Sequence, residues 1–388
     1  MRLRALCLST VLLLAGCTTD SAAEVDPETL DTGVYSTAPR DFPVNEETSL
    51  LAEATSYGEY LLMPYEVDTA FREGKHSGIT VDPSSLDLVT SKPERDVVAA
   101  LDTYLAGASY RGWDDDAERG ARNAFFRFVS PEAARQAASA MAEARRADPS
   151  SPGETVEVPA YPEASAVRTR FEVTVAYPYE DFVLYAQMNV APDIMGGTEP
   201  DLSWAVDYAE AFIGKQLPLL TEMPLWDTML PLDPEGLLGY TVAAPEGRRN
   251  YVVPSEVSAR QFSARYEDPN ATQEELEALG VDVVAQSYTT IFRTRNASAA
   301  VEMVETYANT SGTDFTVYTE PQGLPSAVCR TLDTRYSIVY QCFMANGRYV
   351  ARAEIRDYYD NRNDDDARLE LSRLMAAQFI LLKQMGER

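Results

Sequence analysis

The stretch SPEAARQAASAM, Ser130 to Met141, has a later counterpart in NASAAVEMVETY, Asn296 to Tyr307. In the first, Ser130 is placed to cap a helix whose opening residue is Pro131, a position where proline's missing N–H costs nothing. Asn296 holds the equivalent capping place. Ala134, Ala137, Ala138 and Met141 share one helical face, and Ala300, Met303, Val304 and Tyr307 share the matching one, at i, i+3, i+4, i+7 spacing. A chain carrying the same capped, one-sided helix twice is constrained to bury two such faces, so a search for self-similarity comes before any other reading.

Further matches follow in the same order in both halves. Pro64-Tyr65-Glu66-Val67 pairs with Pro254-Ser255-Glu256-Val257, Ser109-Tyr110 with Ser287-Tyr288, and Phe126-Arg127 with Phe292-Arg293. Ser165-Ala166-Val167 pairs with Ser326-Ala327-Val328, and an alternating hairpin pattern follows each. The first hairpin turns at Tyr177-Pro178-Tyr179-Glu180 and the second at Ala345-Asn346-Gly347, where Asn-Gly is a strong turn signal. QLPLL, Gln216 to Leu220, lines up with QFILL, Gln378 to Leu382, in a closing helix. Pro218 should kink or stop the earlier of these. Asp364-Asp365-Asp366 can cap the later one, whose inward face is Leu371, Leu374, Met375, Gln378 and Leu382.

The implied unit is a strand, a helix, a two-stranded hairpin and a second helix, led by an apolar strand carrying Pro-x-Glu-Val. Helices packed on one face of an antiparallel sheet make the class α+β, here in two tandem copies of a β-α-β-β-α-like unit. Additional helices are expected from Pro93 to Ala106, stopped by Gly107, and from Thr272 to Leu279, stopped by Gly280. The expected organisation is a signal peptide at 1–16, a flexible tether at 17–30, a first repeat at 31–225 and a second, disulfide-bearing repeat at 226–388.

The signal peptide reading rests on Arg2 and Arg4, the apolar run from Ala5 to Leu14, and Leu14-Ala15-Gly16-Cys17. That run is too short to cross a bilayer. Its ending resembles the bacterial lipobox, which implies that Cys17 is lipidated and becomes the first residue of the mature chain. The expected location is the extracytoplasmic face of the cell membrane, held by the lipid on Cys17, since a two-chain lipid anchors stably where one acyl chain does not. Thr18 to Leu30 is small, acidic and aperiodic, as suits a tether. The apolar fraction of 45% is that of a globular protein, and the net charge of −28 disfavours nucleic acid as a partner.

With Cys7 in the discarded signal and Cys17 acylated, Cys329 and Cys342 remain. Outside the cytoplasm they read as one disulfide, worth ~3 kcal/mol in the chain-entropy account. The first copy places Tyr177 opposite Cys342 in the repeat alignment.

LDTGVYSTAPR (Leu30 to Arg40), Pro64 to Asp68, NAFFRFVSPEAA (Asn123 to Ala134) and the cysteine-bearing half together resemble a family of uncharacterised lipoproteins of mycobacteria, nocardiae and related actinobacteria. The resemblance implies an envelope location and a two-part fold. The C-terminal half is also loosely similar to the extracellular sensor domains of mycobacterial Ser/Thr kinases, by pattern and not by motif, so it carries over no functional residue.

Catalytic signatures are sparse. His76 is the sole histidine, in what reads as a Gly-rich loop, and the nucleophile-elbow, P-loop, dinucleotide-binding and zinc-protease motifs are absent. No cofactor or metal is expected. The acidic runs Asp114-Asp115-Asp116 with Glu118, and Asp360 to Asp366, lack the glycine and glutamate of an EF-hand. Tyr177, Tyr179, Tyr358, Tyr359, Trp113, Trp204 and Trp226 lie near element ends, where rings line binding sites or core edges. The expectation is a non-catalytic envelope protein that binds a ligand or a protein partner, with the cleft between its copies as the expected place. Alternatives are an assembly factor acting through its surface and a carboxylate-based envelope hydrolase.

Overall fold

The computed structural model describes residues 25–191, 200–224, 228–248, 252–309, 315–318, 321, 323–324, 326–334, 337–358 and 364–386. Cys7, Cys17, the signal segment, Trp226, Tyr359 and the Asp360–Asn363 part of the acidic run therefore lie outside the described residues. No helix among those described is long and apolar enough to cross a membrane.

The first unit runs α1 (Glu46–Tyr60), α2 (Pro64–Val67), β1 (Glu73–Thr80), α3 (Lys92–Leu101), β2 (Tyr104–Trp113), β3 (Arg119–Phe128), α4 (Pro131–Arg146), β4 (Glu154–Val156), β5 (Ser165–Arg168), β6 (Glu172–Tyr179), β7 (Phe182–Val190) and α5 (Trp204–Glu222). The second runs β8 (Ser255–Val257), α6 (Ala259–Ser263), α7 (Pro269–Ala278), β9 (Val283–Gln286), β10 (Thr289–Arg293), α8 (Ala297–Asn309), β11 (Phe315–Tyr318), β12 (Val328–Asp333), β13 (Ser337–Asn346), β14 (Tyr349–Tyr358) and α9 (Asp364–Gly386). Each unit builds one seven-stranded sheet, ordered β1-β2-β3-β7-β6-β5-β4 and β8-β9-β10-β14-β13-β12-β11. All neighbouring strands are antiparallel. The class is α+β in two tandem antiparallel units of one strand order.

The helices cover both faces of each sheet rather than one. Ala121 and Phe125 of β3 pack with α1, α2 and α5, whereas Ala124, Phe126 and Phe128 pack with α3 and α4. In the second unit Ile291 meets α9 and Phe292 meets α8. The period-2 alternation of a strand sends neighbouring residues to opposite layers, and here both layers are apolar.

The capped helices are as the sequence implied. Ser130 accepts from the Ala133 N–H, with Pro131 opening α4, and Asn296 Oδ1 accepts from the Ala299 N–H at 2.9 Å. Several strand matches are corrected. Pro64–Val67 is a helical turn while Ser255–Val257 is a strand, so the Pro-x-Glu-Val pair shares letters and not structure. The α3 helix ends at Asp102 in a left-handed conformation, and Gly107 lies inside β2, where any side chain would meet the Phe125 carbonyl and the Phe126 ring. Pro218 does not stop α5. Tyr177 to Tyr179 belong to β6, and the chain reverses at Glu180.

Anchoring on Phe126 and Phe292 fixes the true register. Ser109 faces Ala124 and Gln286 faces Thr290, so Gln286, not Ser287, is the counterpart of Ser109. On the far side Ala166 faces Val175, which faces Ala186, while Cys329 faces Cys342, which faces Ala353. The counterpart of Cys342 is thus Val175, two residues from Tyr177. The expected disulfide between Cys329 and Cys342 is present, directly across β12 and β13, where the first unit has an Ala–Val pair.

One buried device recurs. Gln216 of α5 donates from Nε2 to the Tyr60 carbonyl at 2.6 Å and accepts the Leu62 N–H at 2.9 Å. Gln378 of α9 donates to the Tyr240 carbonyl at 3.0 Å and accepts the Val242 N–H at 3.3 Å. Both glutamines are fully buried. Each amide satisfies the backbone of an irregular segment laid between helix and sheet, where unpaired N–H and C=O groups would be costly.

The units interlock. Tyr35 is buried in the second core and donates to Glu370 Oε1 at 2.8 Å, and Val25 and Leu30, expected in the tether, pack against the same core. The α1 helix serves both cores, Ala54 and Tyr57 the first and Ala52 the second. Arg260 of α6 reaches the carbonyls of Gly58 at 2.9 Å and Leu61 at 2.8 Å and pairs with Glu66 at 2.6 Å. Gly58 is required at this crossing because a side chain would collide with the Tyr110 hydroxyl and the Gln261 amide.

Candidate functional site

The α4-facing side of the first sheet is apolar over only part of its length. β2 sends Gly107, Ser109 and Arg111 to this side, and β3 sends Arg122, Ala124 and Phe126. The helices close over Ala124, Phe126, Tyr185 and their neighbours. Beyond them a polar row crosses the sheet, Arg111 facing Arg122 and Arg122 facing Gln187, with Asn189 facing Glu172 alongside. Arg145 of α4, Ser77 of β1 and the Ser151, Thr169 and Phe171 loops complete the wall of a cavity of about 600 Å³. That size lies within the range of small-molecule sites.

The three arginines differ in how their charge is balanced. Arg145 is held by Glu172 at 2.9 Å and Asp148 at 3.4 Å. Arg122 is only 8% exposed and donates to the Val89 carbonyl, a neutral partner. Arg111 stacks over the Trp113 ring at 4.5 Å, and its Nε is buried without a hydrogen-bond partner. Among the described residues neither Arg111 nor Arg122 is in an ion pair. Burial, and next to it the Arg111 charge, pushes the Arg122 guanidinium down to about 10. It still carries its proton at neutral pH. Beside this cluster Glu94, 1% exposed, caps α3 through the Ser91 N–H at 2.8 Å and accepts from the Tyr185 hydroxyl at 3.2 Å. Burial holds its carboxyl above the usual range.

The corresponding face of the second unit is filled. Arg352 pairs with Glu354 and donates to the Tyr266 hydroxyl at 2.6 Å, and Gln341 donates to Glu354 at 2.9 Å. Arg330 donates to Gln341 Oε1 at 3.0 Å and lies over the Phe343 and Tyr307 rings. By register Glu354 stands where the first unit has Gln187, so Arg352 meets a carboxylate at a position where the first unit has an amide.

A groove of about 350 Å³ also lies between the units, formed by α1, the 230–235 segment and β8. Its Glu256 accepts the Glu235 N–H at 2.9 Å and the Leu237 N–H at 2.8 Å, while Asp233 accepts from Leu238 at 2.7 Å and Gly239 at 2.9 Å. Burial, and a hydrogen bond shared with Asp233, push the Glu256 carboxyl up to about 8. This pair is turned toward backbone amides and braces the inter-unit segment.

The residues singled out from sequence scatter. His76 lies in strand β1, not in a loop. Asp114 closes the β2–β3 turn, accepting from the Glu118 and Arg119 N–H groups at 2.8 and 3.0 Å. Among the described residues no three His, Cys, Asp or Glu side chains gather as a metal site would require. Trp204 packs on Phe71 and Tyr208, and Tyr177 on Tyr161, which makes them core edge. Of those rings that are described, Trp113 alone adjoins the cavity, under Arg111. Arg111 and Arg122 had a signal, a cation in mid-strand on a doubly covered sheet, but only the register brings them together.

A family model for the N-terminal domain of DUF7373, a domain of unknown function, matches residues 41–228, and one for its C-terminal domain matches 243–384. The chain carries both DUF7373 domains. The cavity lies within the N-terminal domain and the disulfide within the C-terminal one. No curated protein matches the chain. Among solved structures it is similar to the extracellular domain of PknH from Mycobacterium tuberculosis at 11% identity, over 47% of this chain and 100% of that one, with a TM-score of 0.28. It is also similar to TP0453, in one crystal form at 8% identity over 79% of this chain and 96% of that one, with a TM-score of 0.24.

Proposed function

We propose that the protein is a non-catalytic envelope lipoprotein, anchored through a lipid on Cys17, that binds a small polar ligand in the cavity of its first unit. The observation that carries this reading is that cavity, roomy and walled in part by Arg111 and Arg122, neither of which is in an ion pair among the described residues. The Cys329–Cys342 disulfide supports an oxidising compartment, and the apolar run ending in Leu14-Ala15-Gly16-Cys17 supports lipid attachment. The reading has no role for the inter-unit carboxylates in chemistry, since their oxygens are engaged by backbone amides.

Native mass spectrometry of the protein extracted from its own membrane tests it. The expected result is a chain beginning at an acylated Cys17 that carries a reproducible bound small molecule. A bare polypeptide with an unmodified Cys17 would overturn both halves of the reading.

A further inference from the structure

We infer that the first-unit cavity is a phosphate-recognition site, taking a phosphomonoester borne on a hydroxylated small molecule, with the phosphate between Arg111 and Arg122. The inference rests on the ligand-binding reading above and adds the chemistry of the ligand. Arg111 and Arg122 face each other on adjacent strands, so two guanidiniums present their donors from one side of the cavity. Neither is in an ion pair among the described residues, whereas the third arginine, Arg145, is held by Glu172 and Asp148. No carboxylate pairs directly with Arg111 or Arg122, although Glu172, held on Arg145, is close enough to act on both, and two such guanidiniums suit an anion with several acceptor oxygens. A phosphomonoester carries about −1.5 to −2 at neutral pH, while a single carboxylate supplies only half of that.

The geometry is preformed. Arg122 is nine-tenths buried and fixed by the Val89 carbonyl, and Arg111 is fixed by stacking on Trp113. Planar guanidiniums held this way lose little freedom when they bind a phosphate in fork geometry. The rest of the wall points to the body of the ligand. Ser109, Gln187 and Asn189 line the cavity with hydroxyl and amide groups, which match a polyol better than an apolar chain. The second unit supplies an internal comparison, because the guanidiniums of its cluster are engaged by Glu354, Gln341 and the Tyr266 hydroxyl.

The test is calorimetric titration of the full chain with inorganic phosphate, glucose 6-phosphate, glucose, and short-chain dihexanoyl phosphatidic acid. Glucose 6-phosphate or the phosphatidic acid should bind at least tenfold tighter than glucose, and binding should weaken several-fold as salt rises from about 50 to 300 mM. The first of these ligands would indicate a free metabolite and the second a lipid headgroup. R111Q should weaken phosphate binding at least tenfold with the melting temperature little changed. R122K, which keeps the charge and loses the fork, should weaken it less than R111Q. Glucose binding as tightly as glucose 6-phosphate, or R111Q binding like the wild type, would overturn the phosphate inference and leave the ligand-binding reading standing. Failure of all four probes, with no molecule carried by the protein from its own membrane, would sink both.

Discussion

The β2–β3 hairpin of the first unit and the β9–β10 hairpin of the second begin alike and end differently. Both run through equivalent pairs up to Ser109–Ala124 and Gln286–Thr290. The second then turns at Ser287-Tyr288, while the first continues to Trp113–Gly120. Arg111 and Arg122 lie wholly in this extension. One sheet plan thus yields a closed, hydrogen-bonded face in one unit and an arginine-walled cavity in the other, with a few added residues and Gln187 in place of Glu354. The cavity is separable from the fold because the core residues and the cavity residues sit on different stretches of the same strands.

The shared framework should respond alike in both units, and the sharpest challenge is to the buried glutamines. Gln216→Leu strands the Tyr60 carbonyl and the Leu62 N–H, at about 1–3 kcal/mol for each buried unsatisfied group, so a loss of about 3–4 kcal/mol is expected in denaturant melts. Gln378→Leu should cost less, about 2 kcal/mol, because Thr289 Oγ1 still accepts the Val242 N–H at 2.9 Å. Equal, negligible losses would break the equivalence of the two closing helices.

The next largest effect concerns the disulfide. Replacing it by the first unit's own pair, Cys329→Ala with Cys342→Val, should cost about 2–3 kcal/mol and leave the second sheet folded. The converse substitution, Ala166→Cys with Val175→Cys, should form a bridge under oxidising conditions, detectable as a two-proton mass loss. Free thiols at both positions would mean that the strand registers are not equivalent. A gain of about 1–2 kcal/mol is expected if the bridge forms without strain.

The last effect is a pH dependence confined to the inter-unit segment. The Glu256 carboxyl is raised in the folded state to about 8, so its contribution is fully present below about 4.5, the unfolded value, and is lost as pH rises through about 8. Glu256→Gln should therefore raise the melting temperature relative to wild type near pH 8 and change it little near pH 4.5. An identical difference at both pH values would contradict the shared proton.

The helices of this fold were legible in the sequence because their signals are local. Ser130 with Pro131, Asn296, and the spaced faces behind them depend on neighbours three and four residues away. Strand register is not local. A slip of two residues keeps every side chain on its face, so hydropathy alternation cannot tell Val175 from Tyr177 as the counterpart of Cys342. The Ser-Tyr match concealed the longer first hairpin, since Ser287-Tyr288 is the turn and Ser109-Tyr110 is mid-strand. Pro-x-Glu-Val misled for a similar reason, as its proline suits both a helix start and the approach to a strand. Arg111 and Arg122 looked like unrelated basic residues until the antiparallel pairing set them side by side.

The central claim is that the extended hairpin turns one of two equivalent units into a ligand site. Native mass spectrometry of wild type and R111Q, both extracted from their own membrane, tests it most directly. The account expects a reproducible small-molecule adduct on the wild type that is lost or sharply reduced in R111Q, with the acylated chain unchanged. The same adduct at the same occupancy on both proteins, or none on either, would contradict it.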